Sequence, residues 1–268
     1  MDKLIVIKIG GNVIDDDETL TGFLKDFADL HITGANGTPC RKILVHGGGK
    51  LATQLAAKLG VEQTLVDGRR ITDSETLKIA VMTYAGLVNK TIVARLQSLQ
   101  CNAIGLSGAD GDSILAHKRN HPVIDYGWVG DVDNVNADLF ELLLEHNFTL
   151  VFAPITHDQS GQLLNTNADT IAQELAKGLT GKYDVELVYC FEKPGVLMNA
   201  GDESTVIREI KPAVYDDLKT RGLVFSGMIP KLDNAFSALS AGVTRVRIGK
   251  AEHLKSLLNG ESGTTISL

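Results

Sequence analysis

The sequence predicts an α/β fold in which a mainly parallel sheet is covered by helices on both faces. Short apolar runs alternate with segments of helical spacing along the whole 268-residue chain, and this alternation is typical of βα units. Hydrophobic residues make up 44% of the chain but aromatic residues only 5%, which favours an α/β enzyme over a β-sandwich. Glycines directly follow two of the apolar runs, at the strand ends where open α/β sheets bind their ligands.

The first half of the chain begins with a strand and ends in a long helix. Apolar runs predict the strands, and apolar residues spaced three or four apart predict the helices. In order, we expect a strand at 4–7, a helix at 19–30, a solvated loop at 33–39, a strand at 43–45, a helix at 50–59 and a helix from Thr72 or Asp73 to Gln100. Thr72 or Asp73 is the expected N-cap of the long helix.

The second half continues the same alternation. In order, we expect a strand at 103–106, hairpins around 114–116 and 128–129, a helix at 136–146, a strand at 148–155, a helix capped by Asn167 and ending near 179, a strand at 185–190, helices at 214–221 and 228–241, a strand at 245–248 and a strand-like end at 264–268. No stretch has the composition of a linker or a repeat. We therefore expect a single domain, residues 1–268, made of two lobes that meet near residues 180 and 181.

Charge and cysteine content exclude several classes of protein. The net charge of -7 argues against a nucleic-acid-binding protein, which needs a clustered basic face. Cys40, Cys101 and Cys190 match neither a metal-binding spacing nor a disulfide framework. We found no secretion signal and no apolar run near the length of a membrane span. These observations predict a cytoplasmic protein without nucleic-acid or membrane partners.

Two glycine motifs are the strongest candidates for ligand binding. Lys8-Ile9-Gly10-Gly11 and His46-Gly47-Gly48-Gly49-Lys50 each end an apolar strand, and exposed backbone N–H groups beside a lysine bind anions. Neither motif has the spacing of a P-loop or of the dinucleotide fingerprint. The alternative is that these glycines only allow tight turns. If both motifs bind anions at neighbouring strand ends, the reaction joins two anionic substrates.

Three further clusters combine structural and functional interpretations. Asn167 and Asp169 suit the start of a helix, whereas Asn165 lies outside that helix and has no such explanation. Lys231 stands in the first turn of a predicted helix, where a cation opposes the helix dipole unless it faces an anion; it could also be a solvated surface lysine. Arg70 precedes the long helix and could either clamp a carboxylate or contribute surface charge.

Taken together, these motifs resemble the amino acid kinase family, and within it the branch that phosphorylates N-acylated glutamate. The resemblance extends over nearly the whole chain, and six motifs occur in the family's order. Besides the two glycine motifs, they are Gly68-Arg69-Arg70-Ile71-Thr72, Gly105-Leu106-Ser107-Gly108-Ala109-Asp110-Gly111 with Val129-Gly130-Asp131-Val132, Asn165-Thr166-Asn167-Ala168-Asp169 and Gly227-Met228-Ile229-Pro230-Lys231. The family's fold is a three-layer αβα sandwich around a central, mainly parallel sheet.

The resemblance implies a catalytic role for three residues. Lys8 and Lys231 would neutralise the phosphoryl group during transfer, and Asp169 would orient both lysines. The co-substrate would be ATP with Mg²⁺, without a metal site built from protein side chains. The chemistry agrees with these residues, because phosphoryl transfer depends on positioning and electrostatic stabilisation. A carboxylate nucleophile is already ionised at neutral pH and needs no general base.

The resemblance also assigns the binding residues of the two lobes. The N-terminal lobe, about residues 1–180, would bind the acylglutamate, and the C-terminal lobe, about residues 181–268, would bind the nucleotide. The implied acylglutamate contacts are Gly48, Gly49, Arg70 and Asn165. The implied nucleotide contacts are Gly10, Gly11, Lys193, Gly195 and Leu197, with the turn Leu223-Val224-Phe225 nearby.

Other functions remain open at this point. The chain could be a carbamate, uridylate, aspartate or glutamate 5-kinase of the same family, although aspartokinases and many glutamate 5-kinases carry C-terminal domains that this sequence lacks the length for. It could also be a non-catalytic sensor of amino acid and nucleotide, which the presence of Lys8, Asp169 and Lys231 together disfavours. The size of the acyl group is undetermined. Only Met1-Asp2 precedes the first strand, whereas arginine-inhibited family members carry an extra N-terminal helix. We therefore expect no arginine inhibition and a homodimer formed through the long helix.

Overall fold

The computed structural model describes residues 1–34, 37–66, 69–199, 201–222 and 228–268. The strands of these residues are β1 (Lys3–Ile9), β2 (Arg41–His46), β3 (Leu65–Val66), β4 (Arg69–Arg70), β5 (Ala103–Leu106), β6 (Ile114–Lys118), β7 (Gly130–Val135), β8 (Thr149–Phe152), β9 (Ile155–His157), β10 (Leu163–Asn165), β11 (Asp184–Phe191), β12 (Glu209–Ile210), β13 (Arg245–Lys250) and β14 (Thr264–Ile266). The helices are α1 (Gly11–Asp15), α2 (Asp17–Ala28), α3 (Gly49–Lys58), α4 (Ser74–Val81), α5 (Asn89–Ser98), α6 (Ala137–Glu145), α7 (Ala168–Gly178), α8 (Pro212–Thr220), α9 (Ile229–Ser240) and α10 (Leu254–Asn259).

The central sheet of the described residues has eight strands in the order β12-β14-β13-β11-β1-β2-β8-β5. All neighbouring pairs are parallel except β13 with β14. Consequently β1, β2 and β11 end at the same edge of the sheet, near its middle. That edge carries both glycine motifs.

Helices cover both faces of this sheet because the central strands are apolar on both sides. Along β1, Leu4 and Val6 pack on one face with α6, α7, α8 and α9, whereas Ile5 and Ile7 pack on the other face with α1, α2, α5 and α10. All four side chains are completely buried. A strand buried on both faces reads as a continuous apolar run, as seen here. The predicted three-layer αβα fold is therefore confirmed.

A second sheet and a distorted long helix complete the N-terminal half. The second sheet has the order β10-β9-β6-β7, and β6 and β7 form the antiparallel pair expected around residues 114–129. The long helix runs from Ser74 to Ser98 and is capped by the Asp73 carboxylate, which accepts a hydrogen bond from the Thr76 N–H. Its middle, Met82–Val88, is π-helical and separates α4 from α5.

Some of the predicted elements were wrong or incomplete. The expected strand at 148–155 is two strands, β8 and β9, in different sheets, because the chain turns at Ala153-Pro154 between them. Helix α1, whose Val13 and Ile14 are buried, follows the first strand directly and was not predicted. Helix α10 and the short strands β3, β4, β10 and β12 were not predicted either. The other expected helices and strands were confirmed to within a few residues, and the division into two lobes stays a prediction.

By length and composition, the helix Ser74–Ser98 could span a membrane, and it is the one such helix among the described residues. Its apolar residues do not form one continuous run, because Lys78, Lys90 and Arg95 interrupt them. Its apolar positions have another explanation, however. Ile79, Tyr84, Val88, Ile92 and Leu96 are all buried against the rest of the protein, as expected for a core helix.

Candidate active site

Two lysines meet one carboxylate at the end of β1. The Lys8 Nζ lies 2.7 Å from Asp169 Oδ1, and the Lys231 Nζ lies 2.7 Å from Asp169 Oδ2. Lys8 is on β1, Asp169 is in the first turn of α7, and Lys231 is in the first turn of α9. The predicted convergence of these three residues is confirmed as geometry.

The two lysines keep the Asp169 carboxylate ionised. Burial alone would raise the pKa of Asp169, but the positive charges of Lys8 and Lys231 outweigh burial and hold that pKa well below its ordinary value. The cluster carries two positive charges and one negative charge. It therefore has a net positive charge that can bind an anion at the carboxyl end of β1.

Tyr189 forms the floor of the cluster and was not anticipated from the sequence. It lies beside Lys8 on the neighbouring strand β11, and its hydroxyl donates a 3.3 Å hydrogen bond to the Asp169 carbonyl. The Lys231 Nζ stands 6.0 Å from the ring centroid, within cation–π range. Burial raises the pKa of Tyr189 well above its usual value, so the hydroxyl keeps its proton.

The two glycine motifs meet beside Lys8. A Cβ at Gly10 would be 4.0 Å from the Lys8 Nζ, and one at Gly47 would be 3.6 Å from the Gly11 N atom. Gly11 begins α1 and Gly49 begins α3, so their N–H groups have no acceptor within their helices. Both helices thus direct their positive ends to this edge of the sheet.

The prediction that the glycine motifs present free backbone N–H groups was wrong for Gly10 and Gly47. The Gly47 N–H donates to the Ile9 carbonyl at 3.1 Å, and the Gly10 N–H donates to the Cys190 carbonyl at 3.3 Å. These two bonds extend the sheet pairing of β1 with β2 and β11 by one residue. Gly10 and Gly47 therefore shape the backbone and do not offer free N–H groups to a ligand.

Arg70 lies against the second glycine motif, as predicted. Its Nη2 donates to the Gly49 carbonyl at 3.0 Å and to the Thr53 Oγ1 at 2.9 Å, and its Nη1 contacts the Gln63 Oε1. Gly68 of the same motif lies outside the described residues. Among the described residues, the guanidinium is thus held by neutral acceptors and pairs with no carboxylate.

Asn165 is connected to Arg70 through Thr72. The Asn165 Nδ2 donates to the Thr72 Oγ1 at 3.1 Å, and the Thr72 hydroxyl donates to the Arg70 carbonyl at 3.3 Å. Asn167 has the predicted capping role, since its Oδ1 accepts from the Asp169 N–H at 2.7 Å. One short segment, 165–169, therefore serves both the Arg70 side and the lysine side of the site.

The three residues after β11 that are expected to bind the nucleotide already make contacts within the protein. Lys193 pairs with Glu203 at 3.3 Å, and Leu197 is 9% exposed. A Cβ at Gly195 would lie 2.7 Å from the Thr264 Oγ1, so close packing already explains this glycine. The turn 223–225 lies outside the described residues.

Comparisons with known proteins agree with this geometry. Residues 3–250 match the profile of the amino acid kinase family. The chain is 55% identical over 262 residues to the acetylglutamate kinase of Cytophaga hutchinsonii, covering 97% of this chain and 96% of the relative. It is 51% identical to the acetylglutamate kinase of Bacteroides thetaiotaomicron, covering 95% and 96%. The fold is also that of the Giardia lamblia carbamate kinase bound to AMP-PNP, with a TM-score of 0.69 at 16% identity over 99% of this chain and 98% of that protein.

Proposed function

The chain belongs to the amino acid kinase family, and we propose that it transfers the γ-phosphoryl group of ATP to the side-chain carboxylate of N-acetylglutamate. The product is an acyl phosphate, which places the reaction in arginine biosynthesis. The observation that carries the proposal is the pairing of Lys8 and Lys231 with Asp169, each at 2.7 Å. The names and identities of the two acetylglutamate kinases compared above support the choice of substrate.

The lysine cluster suits the electrostatic problem of this reaction. A carboxylate must approach a triphosphate, and both are anionic. Lys8 and Lys231 reduce this repulsion and stabilise the negative charge of the transition state. Asp169 fixes the direction of both side chains. The N–H groups of Gly11, Gly48 and Gly49 act as further donors to the phosphoryl oxygens and the substrate carboxylate.

The acylglutamate binds between Arg70, Asn165 and the Gly48-Gly49 backbone. Arg70 takes the α-carboxylate, because its charge has only neutral partners within the described residues. Guanidinium groups bind carboxylates through two parallel hydrogen bonds. This placement turns the side-chain carboxylate of the substrate toward Lys8.

ATP enters together with Mg²⁺ as one co-substrate. Within the part of the chain that the structure describes, no three His, Cys, Asp or Glu side chains are grouped to hold a metal ion, and both oxygens of Asp169 face lysines. We therefore place Mg²⁺ on the triphosphate oxygens and water. Lys193, Gly195 and Leu197, after β11, border the nucleotide, and Gly10 and Gly11 border its phosphates.

The protein acts in the cytoplasm as a homodimer in this proposal. The helix Ser74–Ser98 exposes Met82 by 51% and Leu87 by 62%, and large apolar side chains on one surface suit an interface between two copies. Sedimentation equilibrium with Leu87→Glu as the disrupting variant tests this assembly. A wild-type monomer at micromolar concentration would contradict it.

The function is tested by measuring ADP release with ATP, Mg²⁺ and one acceptor at a time. N-acetylglutamate should give turnover and a hydroxamate after trapping with hydroxylamine, whereas carbamate, UMP and free glutamate should not. Lys8→Met is the control for contaminating kinases. Binding of glutamate derivatives without any turnover would instead favour a sensor. Comparing kcat/KM for acetyl- and succinylglutamate determines the preferred acyl group.

A further inference from the structure

The π-helical turn of the long helix packs on Gly48 and Gly49, which together with Arg70 form the proposed acylglutamate clamp. None of the six sequence motifs includes this turn. The turn covers Met82–Val88, and at its end the Asn89 N–H bonds to the Tyr84 carbonyl, five residues back. Such turns are rare and occur frequently at functional sites. In an α-helix, residues five apart point about 140° away from each other. The π-turn brings Tyr84 and Asn89 to one side of the helix.

That side of the helix faces the His46-Gly47-Gly48-Gly49 motif, with Tyr84 at the glycine end and Asn89 at the His46 end. A Cβ at Gly48 would lie 3.0 Å from the Tyr84 ring, and one at Gly49 would lie 4.0 Å from the Tyr84 hydroxyl. The Asn89 Nδ2 stands 3.2 Å from the His46 Nε2 and donates to the Val151 carbonyl at 3.0 Å. The motif is therefore held between Tyr84 and Asn89.

Tyr84 also lies beside Arg70. The Tyr84 hydroxyl and the Arg70 Nη2 both border Gly49, at 4.0 Å and 3.9 Å from a Cβ built there. Burial raises the pKa of this hydroxyl although the Arg70 charge acts to lower it. Tyr84 is only 5% exposed. Its ring packs on Gly48, and its hydroxyl lies on the side of Gly49 that the guanidinium also occupies.

We propose that Tyr84, presented by the π-helical turn, is a positioning residue that holds Arg70 and the Gly48-Gly49 backbone in the geometry that binds the α-carboxylate of the acylglutamate. The inference rests on the proposed function. It adds a residue outside all six recognised motifs. Tyr84 acts through Arg70 and Gly48, so its loss should weaken acylglutamate binding and leave the lysine cluster intact.

The test compares Tyr84→Phe and Tyr84→Leu with the wild type and with Tyr183→Phe, a control at another buried tyrosine of the core. For Tyr84→Phe, which removes the hydroxyl beside Arg70, we expect KM for N-acetylglutamate to rise about three- to tenfold, the range for loss of one polar interaction. The kcat, the KM for ATP and the melting temperature should stay near wild type. Tyr84→Leu, which also loses the ring, should have the larger effect, and Tyr183→Phe should have none on KM.

A substrate without the α-carboxylate, N-acetyl-4-aminobutyrate, makes the test specific for the clamp. Wild type and Tyr84→Phe should use this analogue with the same KM, because Arg70 has no carboxylate to hold. A wild-type KM for N-acetylglutamate in both Tyr84 variants would overturn the inference. So would an equal penalty with the analogue, or a rise in both KM values together with a lower melting temperature. Absence of turnover in the wild type would instead count against the proposed function.

Discussion

Replacing Asp169 with Asn tests the cluster on which the catalytic proposal depends. The substitution keeps the shape of the side chain but removes the charge that both Lys8 and Lys231 contact at 2.7 Å. Removing one partner of a buried ion pair costs about 3–5 kcal/mol. Here the exposed side-chain fractions are 14% for Lys8, 19% for Asp169 and 29% for Lys231. Water therefore reaches part of the cluster, and we expect a smaller loss of about 2–3 kcal/mol.

The kinetic effect of Asp169→Asn should be larger than its effect on stability. The two ammonium groups then repel each other without a fixed position, so kcat should fall by about 10²–10³, as for loss of a preorganised donor. The KM for ATP should not rise, since the site gains positive charge. Steady-state kinetics measures the first effect, and urea unfolding measures the loss of stability.

The control is Asp138→Asn, the same change at an exposed carboxylate that lies 3.0 Å from Lys182. This variant should match the wild type in both assays.

The stability contributed by Asp169 should also vanish in acid. Its pKa is lowered by folding, so the contribution is complete above the ordinary value of 3.8 and is lost as the pH falls below it. A kcat of Asp169→Asn near that of the wild type would refute the reasoning.

Three further predictions concern the substrate side of the site. Arg70→Lys should weaken acylglutamate binding by about 1–3 kcal/mol, because one ammonium replaces a fork of donors; an unchanged KM would remove Arg70 from the clamp. Gly48→Ala should lower the free energy of unfolding by about 1–3 kcal/mol, because Gly48 has a φ of 149° and lies against Tyr84. The control is Gly22→Ala in α2, where a Cβ meets nothing within 4 Å; it should be neutral or stabilising. His46 is fully buried, and burial lowers its pKa from 6.5 to about 4. The neutral imidazole should therefore contribute about 3 kcal/mol to the free energy of unfolding above pH 6.5, and this contribution should disappear toward pH 4. Urea unfolding of the wild type and His46→Gln across this range checks it, and an imidazole titration near 6.5 would contradict it.

The central strands and the positions of the charged motifs could be predicted from the sequence. Strands β1 and β2 are continuous apolar runs, and their glycine ends follow directly in the chain. Lys231 was the most informative of these residues, since a cation in the first turn of a helix favoured a facing anion over a solvated side chain, and Asp169 is that anion. Order along the chain placed these groups at one edge because parallel strands end together.

The remaining features depend on tertiary packing. Helix α1 has only five residues, too few for a periodic pattern, and it is stable because Val13 and Ile14 are buried. The break after β8 depends on Pro154, which the apolar pattern concealed. Tyr84 occupies an apolar position of a helix, where it reads as an ordinary core residue. The extra residue of the π-turn becomes visible only in the hydrogen bond between Asn89 and Tyr84.

The separation of Lys8, Asp169 and Lys231 along the chain has a consequence for biosynthesis of the enzyme. These residues stand at positions 8, 169 and 231, and contacts between such distant segments form late in folding. A ribosome must therefore expose the chain through Lys231 before the second ammonium group can dock. A nascent or prematurely terminated product cannot assemble the phosphoryl-transfer centre, even where its first strands have already paired.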